Sequence, residues 1–241
     1  MTRRRFIVGK FGAERTILTG EQAHHLAHVL RARPGQLYEL SNQQTLWLAR
    51  IVSVSSERVE FELVESVSVP PSPPRLVLLA SIIKFSRLER FLEKATELGV
   101  SEILLVNAKR SDRRLIRAAV GRGRRWEKIL RAAAQQARRV DMPRLGQLIK
   151  LSDAVSTVDC EARILLSEAS DAVPLRCLLR SGSPPRSAAL AVGPEGGWTD
   201  EERQAAHQRG FVEASLGSEI LRTETAVVSA LAILHYELAI D

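Results

Sequence analysis

Apolar residues fall along this chain in two rhythms, and the change comes near residue 70. Before it, short runs tend to alternate apolar with polar positions: Phe6-Ile7-Val8, Gln36 to Leu40, Leu46 to Val52 and Arg58 to Leu63. A period of two sends successive side chains to opposite faces of a sheet, so these runs predict the strands of a small β-barrel-like domain. One helical pattern accompanies them, Gly20 to Arg31, which carries His24, His25 and His28. After the change, apolar runs alternate with helical patterns. The runs are Leu76–Ile82, Glu102–Val106, Arg163–Leu166, Ala188–Val192 and Val212–Leu216; the helical patterns are Ser86–Leu98, Arg124–Ala137, Thr199–Arg209 and Thr225–Ala239. Strands separated by helices predict an α/β domain, a mostly parallel sheet covered on both faces, with ligands at the strand C-terminal ends.

The boundary is Pro70-Pro71-Ser72-Pro73-Pro74, which can continue neither a helix nor a central strand and reads as a stiff linker. The expected organisation is therefore a first domain over 1–69, a linker over 70–74 and a second domain over 75–241. Ser86-x-x-Glu89 and Thr199-x-x-Glu202 match capping boxes, and Gly99 and Gly210 stand where left-handed helix ends are expected. In the first helix of the second domain, Leu88, Phe91, Leu92, Ala95 and Leu98 form the apolar stripe. Arg87, Arg90 and Lys94 share the opposite face.

Two glycine-bearing segments stand between strand-like and helix-like runs: Gly193-Pro194-Glu195-Gly196-Gly197-Trp198, and Leu216-Gly217-Ser218-Glu219-Ile220-Leu221-Arg222-Thr223-Glu224-Thr225-Ala226. Without Cβ, such loops bring bare backbone groups against a flat ligand, and two of them at neighbouring strand ends make a slot. The first alone is no more than a turn signal. The second is more specific, because Ile220 and Leu221 are apolar where a connecting loop is usually polar. Capping of the following helix accounts for one threonine, Thr223 or Thr225, but not for Arg222.

Charge changes the picture further. Residues 1–74 hold 9 basic and 7 acidic side chains, residues 75–150 hold 19 and 7, and residues 151–241 hold 7 and 14. The basic excess of the whole chain, +7, is thus concentrated in the middle. An arginine-rich block suits a polyanion, whereas genome composition or a solvated helix face gives the bland alternative. The stretch Phe6-Ile7-Val8 after the basic N-terminus is too short for a signal peptide, and no run approaches a membrane span, so a cytoplasmic location is expected. Cys160 and Cys177 lack metal-ligand spacing and suggest no disulfide framework. His24, His25 and His28 have no third ligand of matching spacing, so no metal is expected. Trp47 and Trp126 sit in apolar stripes and are read as core.

The motifs GPEGGW, LGSEILRTETA, KFSRLERFLEKATELGV and HHLAHVLR resemble the bacterial 16S ribosomal RNA (uracil-N3)-methyltransferase family, over nearly the whole chain. That resemblance implies a SPOUT methyltransferase: a parallel sheet tied by a C-terminal trefoil knot that binds S-adenosylmethionine, preceded by a PUA-like RNA-binding domain. It implies that Gly193, Pro194, Glu195, Gly196 and Gly197 form one knot loop and Leu216, Gly217, Ile220, Leu221, Arg222 and Thr223 the other. Leu166 and Glu168 would line the same cleft. The 16S rRNA of the 30S ribosomal subunit would be the partner, and a homodimer the assembly. Family members commonly carry a Glu-Gln-x-Gly-Arg-like stretch where this chain has Gln135-Gln136-Ala137-Arg138-Arg139, and an Asp-Gly turn where it has Ser41-Asn42-Gln43.

For such a reaction, N3 of a uridine must be exposed and the anion left by its proton stabilised. Arg222 is the candidate stabiliser and Glu224 the candidate proton acceptor. The alternatives are an ion pair of Arg222 with Glu224 or Glu195, and a dipole role for Glu224 at the helix start. Lys84, Arg87, Lys94, Arg110, Arg113, Arg138 and Arg139 are the expected RNA contacts, with Arg3, Arg4 and Arg5 as a basic arm. Two rival functions remain: a knotted methyltransferase acting on another RNA position, and a non-catalytic RNA-binding or ribosome-assembly factor.

Overall fold

The structure, a computed structural model, describes residues 4–69, 73–180 and 184–238. Pro70, Pro71 and Ser72 of the linker, Arg3 of the basic arm and Ala239 of the last helix lie outside the described residues. The chain divides into two compact units. The first comprises Met1–Pro71 with Ala134–Met142, and the second Ser72–Ala133 with Pro143–Asp241. Residues 134–142, which follow the linker in sequence, thus belong to the first unit.

In the first unit, strands β1 (Arg5–Ile7), β2 (Arg15–Thr19), β3 (Leu37–Ser41), β4 (Leu46–Val54) and β5 (Arg58–Val67) form one sheet in the order β1-β3-β4-β5-β2. β1 runs parallel to β3 and the remaining pairs are antiparallel. Phe6, Leu18, Leu26, Leu40, Ile51 and Phe61 fill its core. The expected helix from Gly20 to Arg31 is instead two pieces, α1 (Gly20–His24) and a π-helical turn over His25–Val29, and it ends where Arg31 takes φ 49°. His24, His25 and His28 are exposed on it. In the β3–β4 turn Gln43 takes φ 74°, the left-handed conformation that glycine adopts more readily. The Asn42 carboxamide steadies that turn, its Oδ1 accepting from the Gln44 and Thr45 amides at 3.1 and 2.8 Å.

The second unit contains a seven-stranded sheet, all of whose pairings are parallel. Its strands are β6 (Arg75–Ser81), β7 (Glu102–Asn107), β8 (Arg144–Lys150), β9 (Ala162–Leu166), β10 (Val173–Pro174), β11 (Ser187–Val192) and β12 (Val212–Ser215), in the order β10-β12-β9-β11-β6-β7-β8. Its helices are α2 (Phe85–Glu97), α3 (Arg113–Ala119), α4 (Gly123–Gln136, whose last turn joins the first unit), α5 (Leu151–Thr157), α6 (Leu175–Leu179), α7 (Asp200–His207) and α8 (Thr223–Leu238). Alternation along β6 serves two layers at once. Leu76, Leu78 and Ala80 pack with Phe91 and Leu92 of α2 and Leu231 of α8, while Val77 and Leu79 pack with Leu151 and Val155 of α5.

Helix ends account for the direction in which each strand's loop leaves. α2 closes in a Schellman motif: Gly99 takes φ 85°, its amide donates to the Thr96 carbonyl, and the Val100 amide donates to Ala95. Thr199 caps α7 in a complete capping box with Glu202. The second expected box is absent. α2 starts one residue early, Lys84 is its N-cap without a side-chain bond, and Glu89 pairs instead with Arg125 at 2.6 Å and Arg122 at 3.5 Å. With two guanidinium groups available, its carboxylate is drawn away from the backbone.

Candidate functional site

Three parallel neighbours, β12, β9 and β11, end side by side at Ser215, Leu166 and Val192, and the loops that leave them enclose a cavity of about 800 Å³. Its walls are the loops 167–172, 193–198 and 216–222. Trp198 ties two of them together: its indole Nε1 donates to the Leu166 carbonyl at 3.1 Å. The ring lies so close under Gly193 that a Cβ there would stand 3.2 Å from it, so any side chain at this position must push the indole aside. Gly217 has φ 142°, in the region where side chains are strained, although the space beside its Cα is open. On the outer side, Arg110 Nη1 donates to the Gly196 carbonyl at 2.9 Å and fixes the first glycine loop.

Every residue expected to hold the cofactor lines this cavity: Leu166, Glu168, Gly193, Pro194, Glu195, Gly196, Gly197, Leu216, Gly217, Ile220, Leu221, Arg222 and Thr223. Leu216 and Leu221 are half-buried against it, whereas Ile220 is 81% exposed. Arg222 is exposed at the rim. Its carbonyl accepts from the Thr225 and Ala226 amides and so opens α8, while its guanidinium makes no hydrogen bond or ion pair among the described residues. The ion-pair alternative for Arg222 therefore does not hold. Glu195 and Glu224 both face Arg87 instead, at 3.4 and 3.6 Å. Glu224 is outside the lining, in the first turn of α8, and its Oε2 is buried without a hydrogen-bond partner.

Sequence reasoning named Glu168 of the 167–172 wall and included Trp198 in the first glycine motif, but it missed Ser167, Ala169, Ser170 and Ala172 as lining, the tie that Trp198 makes, and Arg203. Arg203 lines the cavity and donates from Nε to Glu213 Oε1 at 2.7 Å. Burial works against ionisation of Glu213, but the hydrogen bonds and charge of Arg203 outweigh it and hold the carboxyl below its ordinary range. No local pattern announces this pair, because its partners lie ten positions apart on α7 and β12.

The expected RNA contacts are dispersed. Arg87 and Arg110 reach the cavity wall. Lys84 and Arg113 are exposed, at the starts of α2 and α3. Lys94 is held by Glu97 and Glu93, whose hydrogen bonds raise its pKa. Arg138 and Arg139 belong to the first unit and turn onto its own groups. Arg138 Nη2 donates to Glu39 at 2.9 Å, beside Arg5 at 2.7 Å, and Arg139 meets Asp141 at 3.1 Å. Burial opposes the Glu39 charge, yet bonds from Arg5 and Arg138 hold its carboxyl below the usual range. Arg138 does this with φ 55°, at the position where the resembling family commonly has glycine. Among the described residues no group of three or more His, Cys, Asp or Glu is placed to hold a metal ion, and no helix is long and apolar enough to cross a membrane.

A glycine-lined cleft at the strand ends of a parallel sheet, in a chain with a separate small β unit, is matched by two family profiles. The RNA methyltransferase domain covers residues 70–235, and the RNA methyltransferase PUA domain covers residues 18–64. The class is thus an RNA methyltransferase with a PUA-like front domain, and its α/β unit is of the knotted SPOUT type. The chain is 30% identical to ribosomal RNA small subunit methyltransferase E of Bacillus subtilis, over 91% of this chain and 89% of that protein. It is 32% identical to the protein of the same name from Mycobacterium bovis, over 89% and 84%. A crystal structure of ribosomal RNA small subunit methyltransferase E from Neisseria gonorrhoeae bound to S-adenosyl methionine superposes with a TM-score of 0.86, at 30% identity over 98% of both chains. The chain belongs to the ribosomal RNA small subunit methyltransferase E family.

Proposed function

We propose that this chain uses S-adenosylmethionine to methylate N3 of a uridine in the 16S rRNA of the small ribosomal subunit. The observation that carries the reading is the cleft itself: two glycine loops and a third wall, with one exposed, unpaired arginine at the rim. The cradle fits the cofactor. Its volume of about 800 Å³ is that of a nucleotide-sized site, the backbone of residues 193–197 and 216–217 offers amides and carbonyls to adenine edges, and Leu216 and Leu221 cover a ring. When bound, S-adenosylmethionine supplies an electrophilic methyl group on a sulfonium.

The protein's own part is to receive an unpaired uridine and stabilise the charge that appears when N3 loses its proton. That charge spreads over O2 and O4 of the ring. With no carboxylate partner among the described residues, the Arg222 guanidinium is available to face those oxygens. Glu224 is the proton acceptor in this reading, supported by its unpartnered Oε2. Arg87, between Glu195 and Glu224, holds the first loop and the start of α8 in register.

The assembled 30S subunit is the substrate, the location is the cytoplasm, and the working form is a homodimer. The dimer is supported by α8, which leaves Ala232, Ile233 and Tyr236 exposed, Tyr236 to 80%. A second copy covers such a face more readily than water does. The test is incubation with S-adenosylmethionine and unmethylated 30S subunits, with naked 16S rRNA alongside, followed by nucleoside mass spectrometry. The expected product is 3-methyluridine from the subunits; methylation at another atom, or none despite cofactor binding, would overturn the reading.

A further inference from the structure

Beyond the cleft, helices α3 and α4 carry a strongly basic run. Between Arg113 and Arg131 the chain carries eight arginine or lysine residues against a single acid, Glu127. Four of the eight have partners within the fold: Arg122 and Arg125 pair with Glu89, Arg122 also lies 4.0 Å over the Phe85 ring, and Lys128 and Arg131 are engaged as well. Arg113, Arg114, Arg117 and Arg124 do not. All four are exposed, and their guanidinium groups make no hydrogen bond or ion pair among the described residues. On α3, Arg113 and Arg114 stand four and three positions before Arg117, so the three share one helix face.

These charges sit on a firm base. Ala119 of α3 and Trp126 and Leu130 of α4 are buried in the large core, with Leu115 and Ile116 packed against it. Asp112 caps α3 through the Arg114 amide. The surface also begins beside the cleft, since Arg110, three residues before Arg113, donates to Gly196 in the first glycine loop. Like charges gathered on rigid helices repel one another and oppose folding by themselves. Their arrangement is favourable once a polyanion covers them, and arginine forks suit phosphate oxygens.

We propose that the α3–α4 face is an RNA-docking surface, separate from the methyl-transfer cleft, that grips the phosphate backbone flanking the target nucleotide. It rests on the reading of the cleft as an rRNA methyltransferase site and adds where the substrate is held. A nucleotide in the cleft continues into its neighbours, and a basic surface starting at the rim meets them. Base identity plays no part in such contacts, so they set affinity and register while the cleft sets the choice of base.

The test compares wild type with the triple variant Arg113→Gln, Arg114→Gln, Arg117→Gln, and with a control triple that removes equal charge from exposed arginines elsewhere, Arg176→Gln, Arg180→Gln, Arg209→Gln. Binding of naked 16S rRNA and of 30S subunits is measured across a salt series, together with S-adenosylmethionine affinity by calorimetry. The α3 triple is expected to weaken rRNA binding on the order of tenfold or more at low salt and to lower the salt slope by about 2 to 3, with cofactor affinity unchanged. The control triple leaves the slope near wild type. Equal slopes for wild type and the α3 triple, or an equal loss in the control, would overturn the proposal. A loss confined to 30S subunits would assign the surface to a ribosomal protein rather than RNA. Wild type that binds cofactor but neither binds nor methylates rRNA would instead defeat the reading of the cleft.

Discussion

Arg222 and Arg138 stand at opposite extremes of what an arginine does in this molecule. Arg222 is exposed at the rim of a cleft, with no carboxylate beside it. Arg138 sits in the first unit with its Nη2 on both oxygens of Glu39, 2.9 and 3.1 Å away, and takes a left-handed backbone conformation to do so. From sequence both are expected to face the substrate, Arg222 as the stabilising cation and Arg138 as an RNA contact. What separates them is the position of acids distant in the chain. Glu39 is 99 residues from Arg138, and the nearest acids to Arg222 in sequence are already committed to other contacts: Glu224 to Arg87 and Glu219 to a hydroxyl, Ser218. An unsatisfied guanidinium is available for chemistry; a satisfied one holds structure.

The comparison can be broken most forcefully at the cleft. Gly193→Val crowds the Trp198 ring, which a Cβ at this position would approach to 3.2 Å, and the resulting shift of the first loop is expected to cost S-adenosylmethionine affinity roughly 100-fold by calorimetry. An affinity within threefold of wild type would show that the first loop does not hold the cofactor. Arg87→Ala removes two half-exposed ion pairs that register the loop against α8, and we expect about a tenfold fall in kcat/KM, partly restored by Arg87→Lys.

The other side of the comparison is sharpened by stability. Glu39→Gln leaves two guanidinium groups facing a neutral amide and should lower unfolding free energy by about 2 kcal/mol in urea melts, with cofactor affinity intact. The folded Glu39 carboxyl titrates below its ordinary value, so its contribution is fully present above the ordinary carboxylate pKa. It is lost as pH falls through the depressed value. The difference between wild type and Glu39→Gln should therefore be constant from neutral pH to about 5 and shrink below about 4. A difference that grew on acidification would contradict the assignment. The smallest effect concerns backbone: Arg138→Gly should destabilise less than Arg138→Ala, by about 1 kcal/mol, because glycine takes φ 55° without strain.

Features set by neighbouring residues were legible in advance. The two glycine loops, the Schellman ends at Gly99 and Gly210 and the capping box at Thr199 depend on backbone conformation within a few positions, and each stands where the pattern puts it. Ser86 failed as a cap because Glu89 has partners more than thirty residues away in Arg122 and Arg125. β8 went unseen since it is an edge strand with no fully buried position, and its half-buried run carries little apolar signal. Of the third cavity wall only Glu168 was expected: the rest of the loop 167–172 carries no glycine and no motif, and strand order brings it beside the glycine loops.

The most direct test measures Arg222→Ala and Arg138→Ala side by side, in single-turnover methylation of 30S subunits and in thermal melts. The account predicts that Arg222→Ala loses on the order of 100-fold in rate constant with its melting temperature unchanged, and that Arg138→Ala melts lower while keeping a near wild-type rate constant at saturating substrate. A wild-type rate for Arg222→Ala, or a rate loss in Arg138→Ala as large as that in Arg222→Ala, would contradict it.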